Sequence, residues 1–141
     1  MKIAVLMEAA DEPRCAAIPE TVKKFIALGA SVAVERGAGS SASIADQDFA
    51  DAGATLASRK DALKGADIIL AINAPAPASL AGAKPGAILV GALNPLQGQT
   101  SIKAFAKAGL EALAMEWMPR ITRAQSMDIL SSQSNLSGYK A

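Results

Sequence analysis

The residues best suited to chemistry lie close together near the end of the chain, between Met118 and Ala141. This segment combines arginines, amides, hydroxyls and one carboxylate, and it shows little apolar periodicity. It follows a strand-like run, which is where α/β proteins place their ligand-binding loops. Ordering such a polar loop costs conformational entropy that few apolar contacts offset, so a bound ligand is expected to supply the missing contacts. Candidate binding residues are therefore expected among the polar side chains of this segment.

The same segment also has a purely structural interpretation. In it, Ser126 caps a helix, Asp128 complements the positive N-terminus of that helix, and Arg120 is solvated. This interpretation predicts a helix cap but gives no reason for the other polar residues. We therefore favour a binding loop.

Apolar runs alternate with helical patterns along the rest of the chain. Strands are predicted at 2–7, 31–36, 67–72, 87–92 and 110–115, and helices at 19–28, 44–52, 58–65 and 99–108, with Ser43 as the candidate cap of the second helix. Strands that alternate with helices imply right-handed crossovers and a parallel sheet. The sequence therefore predicts an α/β fold over residues 1–125, with a doubly wound, mainly parallel, Rossmann-like sheet and flanking helices.

Such a sheet binds its ligands at the carboxyl ends of its strands. Four segments should therefore lie on one rim: Glu8–Arg14, Asn73–Pro77, Leu93–Pro95 and Pro119–Asp128. Residues 126–141 follow as a polar helix that meets no stop signal before the end of the chain, and this is expected of a helix leading to a further domain of a longer polypeptide.

A glycine-rich turn, Gly37-Ala-Gly-Ser-Ser-Ala42, follows a predicted strand and precedes a predicted helix. This position superficially fits a dinucleotide-binding fingerprint, in which glycines let backbone amides approach a pyrophosphate. The next predicted strand, however, ends in Asn73 and has no acidic residue for a ribose. We therefore predict a turn whose glycines serve backbone geometry, rather than a phosphate loop.

Composition excludes several classes of function. A formal charge of +1, with both signs scattered, argues against nucleic acid as a partner. The single cysteine, Cys15, rules out an internal disulfide and is expected to be a small buried side chain. With no histidine in the chain, no metal site and no acid/base pair is predicted. Apolar runs are far shorter than the roughly 20 residues of a spanning helix.

The segment from Glu116 to Ala141 resembles the motif that joins the two halves of the NAD(H)-binding component, the alpha subunit, of proton-translocating NAD(P) transhydrogenases. Glu12-Pro-Arg14-Cys-Ala-Ala-Ile-Pro19 resembles an element near the start of both transhydrogenases and alanine dehydrogenases. Weaker matches extend the resemblance across the chain: Pro19-Glu-Thr-Val-Lys-Lys, Gly37-Ala-Gly and Ala52-Gly-Ala.

The resemblance implies a first domain that faces the nicotinamide of NAD(H), with Arg120, Gln125, Asp128 and Ser131 in a loop that folds over the ring. The amide of Gln125 and the hydroxyl of Ser131 suit a carboxamide, which donates and accepts hydrogen bonds. A following Rossmann domain would hold the rest of the dinucleotide. In the family, this component dimerises and docks an NADP(H)-binding component and a membrane component, at the cytoplasmic side of the inner membrane, where hydride transfer is coupled to proton translocation.

Two other functions remain open. An alanine-dehydrogenase-like oxidoreductase is less favoured, because that chemistry needs a general acid/base, and this chain has Asn73 and Gly91-Ala-Leu-Asn94 where the family uses a histidine and a lysine. Hydride transfer between two nicotinamides needs no proton donor. The third possibility is a non-catalytic domain in which residues 118–141 serve packing or dimerisation.

In the dehydrogenases, the arginine matching Arg14 holds the substrate carboxylate; here either a ligand contact or a loop-organising ion pair is expected.

Overall fold

The computed structural model describes residues 1–119 and 121–140. Six parallel strands form one sheet in the spatial order β3-β2-β1-β4-β5-β6. Their bounds are β1 Lys2–Val5, β2 Ser31–Glu35, β3 Thr55–Ala57, β4 Ile68–Asn73, β5 Ile88–Ala92 and β6 Glu111–Ala114. This is the strand order of the doubly wound nucleotide-binding fold. The predicted Rossmann-like α/β fold is confirmed.

The helices connect these strands in the expected places. Their bounds are α1 Pro19–Ala27, α2 Asp46–Asp51, α3 Arg59–Leu63, α4 Gln99–Lys107 and α5 Ile129–Lys140. Pro19 occupies the first turn of α1, where its missing N–H breaks no hydrogen bond. Ser58 caps α3, its hydroxyl accepting a hydrogen bond from the Asp61 amide at 3.2 Å.

Three local predictions were wrong. Strand β3 was missed, because three residues are too short to show a clear alternation of apolar and polar side chains. Ser43 is not a helix cap, since it adopts a left-handed conformation and α2 begins only at Asp46. Ser126 does not begin the last helix: it lies in a 3-10 segment, Thr122–Met127, and α5 starts at Ile129.

Both faces of β1 and β2 are buried, which explains why these strands are almost continuously apolar. On β1, Ile3 and Val5 point to one face, where Val22 of α1 and Phe49 of α2 pack. Ala4 points to the opposite face, where Phe105 of α4 packs. These two apolar layers hold the strands in register, so the loops at their carboxyl ends are mounted on a rigid base. Within the described part of the chain, no helix is both long and apolar enough to cross a bilayer.

Candidate functional site

The structure brings three of the four predicted binding residues together. Gln125, Asp128 and Ser131 line one cavity of about 330 Å³, together with Leu130 and Ser134. Gln125 belongs to the 3-10 segment, Ser131 to the first turn of α5, and Asp128 to the junction between the two. The fourth predicted residue, Arg120, lies outside the described residues.

Asp128 organises this junction. One carboxylate oxygen accepts a hydrogen bond from the Leu130 amide at 3.0 Å, and the other accepts from the Ser131 hydroxyl at 2.6 Å. The carboxylate therefore satisfies an amide of the first turn of α5, the role that the structural interpretation gave to Ser126. Because the Ser131 hydroxyl donates to Asp128, its oxygen retains lone pairs that can accept a hydrogen bond in the cavity. Capping and ligand binding are compatible in this arrangement.

Glutamate carboxylates accept hydrogen bonds from backbone amides along the carboxyl edge of the sheet. Glu35, at the end of β2, accepts from the Met7 amide after β1 at 2.8 Å. Glu8, after β1, accepts from the amides of Ile72 and Asn73 at the end of β4, at 2.6 and 3.2 Å.

Glu116, after β6, continues the same pattern. It accepts from the amide of Leu93, after β5, at 3.1 Å, and also from the Asn94 amide. Each carboxylate thus binds amides at the end of a neighbouring strand. In doubly wound sheets, ligands bind in the crevice at these strand ends; here the protein's own carboxylates bind the strand-end amides. Glu8 was predicted to lie on this rim, but the role of all three glutamates was missed, although their common position just after, or at the end of, a strand was visible.

The glycine-rich turn after β2 serves packing. The Gly37 amide donates to the Asp46 carboxylate at 2.8 Å. A Cβ added at Gly39 would lie 2.7 Å from the carbonyl oxygen of Ile44 and 2.7 Å from a ring carbon of Phe49. Gly39 is therefore needed because α2 packs against it. This packing agrees with the predicted geometric role of the glycines; that the turn binds no phosphate stays a prediction.

Arg14 forms a partly buried ion pair with Glu12. The guanidinium donates to both carboxylate oxygens, from Nε at 2.6 Å and from Nη2 at 2.7 Å. The side-chain amide of Asn73, the last residue of β4, donates to the same carboxylate at 2.9 Å. These bonds, chiefly those from Arg14, lower the pKa of Glu12 to about 2. Of the two roles predicted for Arg14, the structure shows the loop-organising ion pair.

A second, larger cavity of about 740 Å³ lies between the carboxyl edge of the sheet and α5. Its walls are mainly apolar and include Ile18, Ala92, Met115 and Leu136. Cys15 also lines it and is half-buried, and burial raises the pKa of its thiol. The thiol is therefore protonated at neutral pH. The side chain is half-buried on this cavity, not fully buried as predicted.

Fold and site together define the class of protein. Residues 4–137 match the family described as alanine dehydrogenase/PNT, N-terminal domain, and the chain belongs to that family. Its relatives within the family include transhydrogenase alpha subunits. It is 48% identical, over 148 aligned residues, to an NAD(P) transhydrogenase subunit alpha of Rhodospirillum rubrum, an alignment that covers 100% of this chain and 38% of the relative.

Other comparisons agree. NAD(P) transhydrogenase subunit alpha of Haemophilus influenzae is 41% identical over 131 residues, which is 93% of this chain and 25% of that protein. The crystal structure of transhydrogenase from Sinorhizobium meliloti superposes with a TM-score of 0.94 at 44% identity, over 100% of this chain and 42% of that one. An L-alanine dehydrogenase structure gives a TM-score of 0.76 at 30% identity, over 82% and 32%. The chain thus spans less than half the length of these relatives.

Proposed function

We propose that this chain forms the nicotinamide-facing wall of the NAD(H)-binding component of a proton-translocating transhydrogenase, which transfers hydride from NADH to NADP⁺. The observation that carries the proposal is the cavity shared by Gln125, Asp128 and Ser131. The similarity to transhydrogenase alpha subunits over the full length of the chain supports it.

The donor set fits a nicotinamide carboxamide. Gln125 offers both a donor and an acceptor, and the Ser131 oxygen offers an acceptor while Asp128 holds its proton. A cavity of about 330 Å³ is at the small end of the range for organic ligands, so it suits one end of a dinucleotide better than the whole molecule. NADH supplies the hydride, and these residues orient the ring that carries it.

The carboxyl edge explains why the rest of the dinucleotide is held elsewhere. Glu8, Glu35 and Glu116 already bind strand-end amides, so a phosphate would have to displace a carboxylate to bind these amides. A pyrophosphate therefore needs a second domain. We assign residues 1–125 to the first domain and 126–141, including α5, to the start of a helix that leads to a Rossmann domain.

The assembly follows from the same proposal. A partner component binds NADP(H), a membrane component couples hydride transfer to proton movement, and the NAD(H)-binding component is a homodimer. The chain is then peripheral, on the cytoplasmic side of the inner membrane. Its charges are scattered and its net charge is only +1, so contact with the membrane is made through its partner subunits.

The test uses Gln125→Ala and Arg120→Ala in the complete NAD(H)-binding component, assayed with its NADP(H)-binding partner. Losing a positioned hydrogen bond to the ring should slow hydride transfer by up to about 100-fold, because a misplacement of about 1 Å is enough to cost that much. The affinity for NADH, measured by calorimetry, should change less than the rate.

Gln47→Ala and Arg36→Ala are matched controls, because both side chains are exposed and lie away from the cavity. These variants should keep the parental rate. If Gln125→Ala and Arg120→Ala also kept it, the loop would have no role in hydride transfer, and the non-catalytic interpretation of residues 118–141 would stand instead.

A further inference from the structure

Helix α5 carries Ser131 and follows directly on Asp128, so its position sets the geometry of the proposed nicotinamide cavity. Its apolar packing is sparse. Side chains from 131 to 139 are all exposed, and the 740 Å³ cavity separates α5 from the carboxyl edge of the sheet. Apolar contacts alone therefore hold α5 loosely, since a void deprives the residues around it of packing partners.

A polar bridge spans this gap. The Arg14 Nη1 atom donates to the side-chain oxygen of Gln133, on α5, at 3.3 Å. No second hydrogen bond crosses between residues 1–119 and residues 129–139, all of which the structure describes. Gln133 is two residues beyond Ser131 on the same helix.

The arginine at the base of the bridge is held in place. Both carboxylate oxygens of Glu12 accept hydrogen bonds from the Arg14 guanidinium. The backbone amide of Arg14 donates to the same carboxylate at 3.1 Å. Glu12 itself is only 7% exposed and is bound by Asn73 at the end of β4. Because a guanidinium is planar and its fork is rigid, fixing two of its nitrogens also directs the third.

We propose that Arg14 is a positioning residue, which places α5, and with it Asp128 and Ser131, by hydrogen bonding Gln133 from a guanidinium that Glu12 and Asn73 anchor to the sheet. The inference rests on the proposed function and deepens it. Arg14 touches no reacting atom; it acts through the helix.

The direct test leaves the ion pair intact. Gln133→Met, in the complete NAD(H)-binding component with its NADP(H)-binding partner, keeps the length of the side chain but removes the strong acceptor. Hydride transfer should slow by about ten-fold, as expected for one hydrogen bond to a charged group. The fall should appear in kcat with the KM for NADH nearly unchanged, because the ring still binds but is misplaced.

The conservative variant is Gln133→Glu, whose carboxylate accepts a charge-assisted hydrogen bond from Arg14. It should retain the parental rate at neutral pH and lose it when the new carboxylate is protonated in acid. The double variant Arg14→Met/Gln133→Met should be no slower than Arg14→Met alone, because both changes break the same bridge.

Gln47→Met is the matched control, since Gln47 is also an exposed helical glutamine with one side-chain hydrogen bond, to Asp51 at 2.7 Å. It should match Gln133→Met in thermal unfolding but keep the parental rate. A parental rate for Gln133→Met, or a slow Gln133→Glu, overturns the positioning role. If Gln125→Ala is slow in that case, the proposed function survives; if Gln125→Ala is also at the parental rate, the proposed function fails as well.

Discussion

Acidic side chains at the carboxyl edge bind backbone amides as well as basic side chains. Glu8, Glu35 and Glu116 each hold the end of a neighbouring strand. Glu35 also accepts from the Arg59 guanidinium at 2.9 Å. Glu12 joins side chains from the β1–α1 loop and from β4. Its anchoring of Arg14 is an electrostatic interaction, and it therefore depends on pH.

We expect Glu12→Gln to reduce the free energy of unfolding at neutral pH by about 1.5 to 3 kcal/mol, the range for hydrogen bonds that involve a charge. The folded-state pKa of Glu12 is depressed from 4.5 to about 2. The ionised carboxylate therefore contributes stability above about pH 4.5, and this contribution is lost as the pH falls towards 2. Urea unfolding at several pH values should show the two proteins converging in acid. A difference that stayed constant from neutral pH to about pH 2 would contradict this assignment.

The candidate site could be predicted from the sequence only in part. Gln125, Asp128 and Ser131 were predicted together because their segment resembles a motif of the transhydrogenase family, and the structure places them on one cavity. The Arg14–Gln133 contact was not foreseen, because the two residues are 119 positions apart and their meeting depends on the path of the whole chain. Long strands and helices were predicted from periodicity, whereas β3 and the 3-10 segment Thr122–Met127 lack enough residues to show a period.

At the scale of elements, two glycines should respond oppositely to the same substitution. Gly39→Ala places a Cβ 2.7 Å from the Ile44 carbonyl oxygen and from the Phe49 ring, so the turn or α2 must shift. We expect a loss of about 1 to 3 kcal/mol in the free energy of unfolding, as for an overpacked core. Gly138→Ala meets nothing within 4 Å and lies within α5. It should gain about 0.5 to 1 kcal/mol, because alanine loses less backbone entropy in a helix.

Denaturant unfolding of both variants measures the contrast. The denaturant midpoints of the two variants should shift in opposite directions from that of the parent. The dependence of the free energy of unfolding on denaturant concentration should stay unchanged in each case. A Gly39→Ala protein as stable as the parent would mean that the turn is not constrained by α2. In that case, close packing would not explain the glycines of Gly37-Ala-Gly39.

At the scale of the whole molecule, the proposal that a second domain holds the pyrophosphate predicts that this chain alone binds NADH weakly. Under the proposal, the chain offers a cavity only for the nicotinamide end, and the Gly37 amide of its glycine-rich turn already donates to Asp46. Calorimetric titration should therefore show no binding tighter than about 10 μM, or about −7 kcal/mol. Tighter binding would contradict the need for a second domain. A chain in which Gly39→Ala abolished that binding would point to the glycine-rich turn as a phosphate loop after all.

The glutamates of the carboxyl edge differ from any dissolved anion in one respect: they cannot diffuse away. Glu8 is tethered beside the amides of Ile72 and Asn73, and a short tether gives a local concentration of at least the millimolar order. An anion that approaches this edge must therefore displace a tethered carboxylate. If the chain binds NAD(H) as proposed, phosphates meet this competition at the sheet edge and the uncharged nicotinamide end does not. The internal carboxylates would thereby favour the orientation in which the ring points toward this sheet and the phosphates point away.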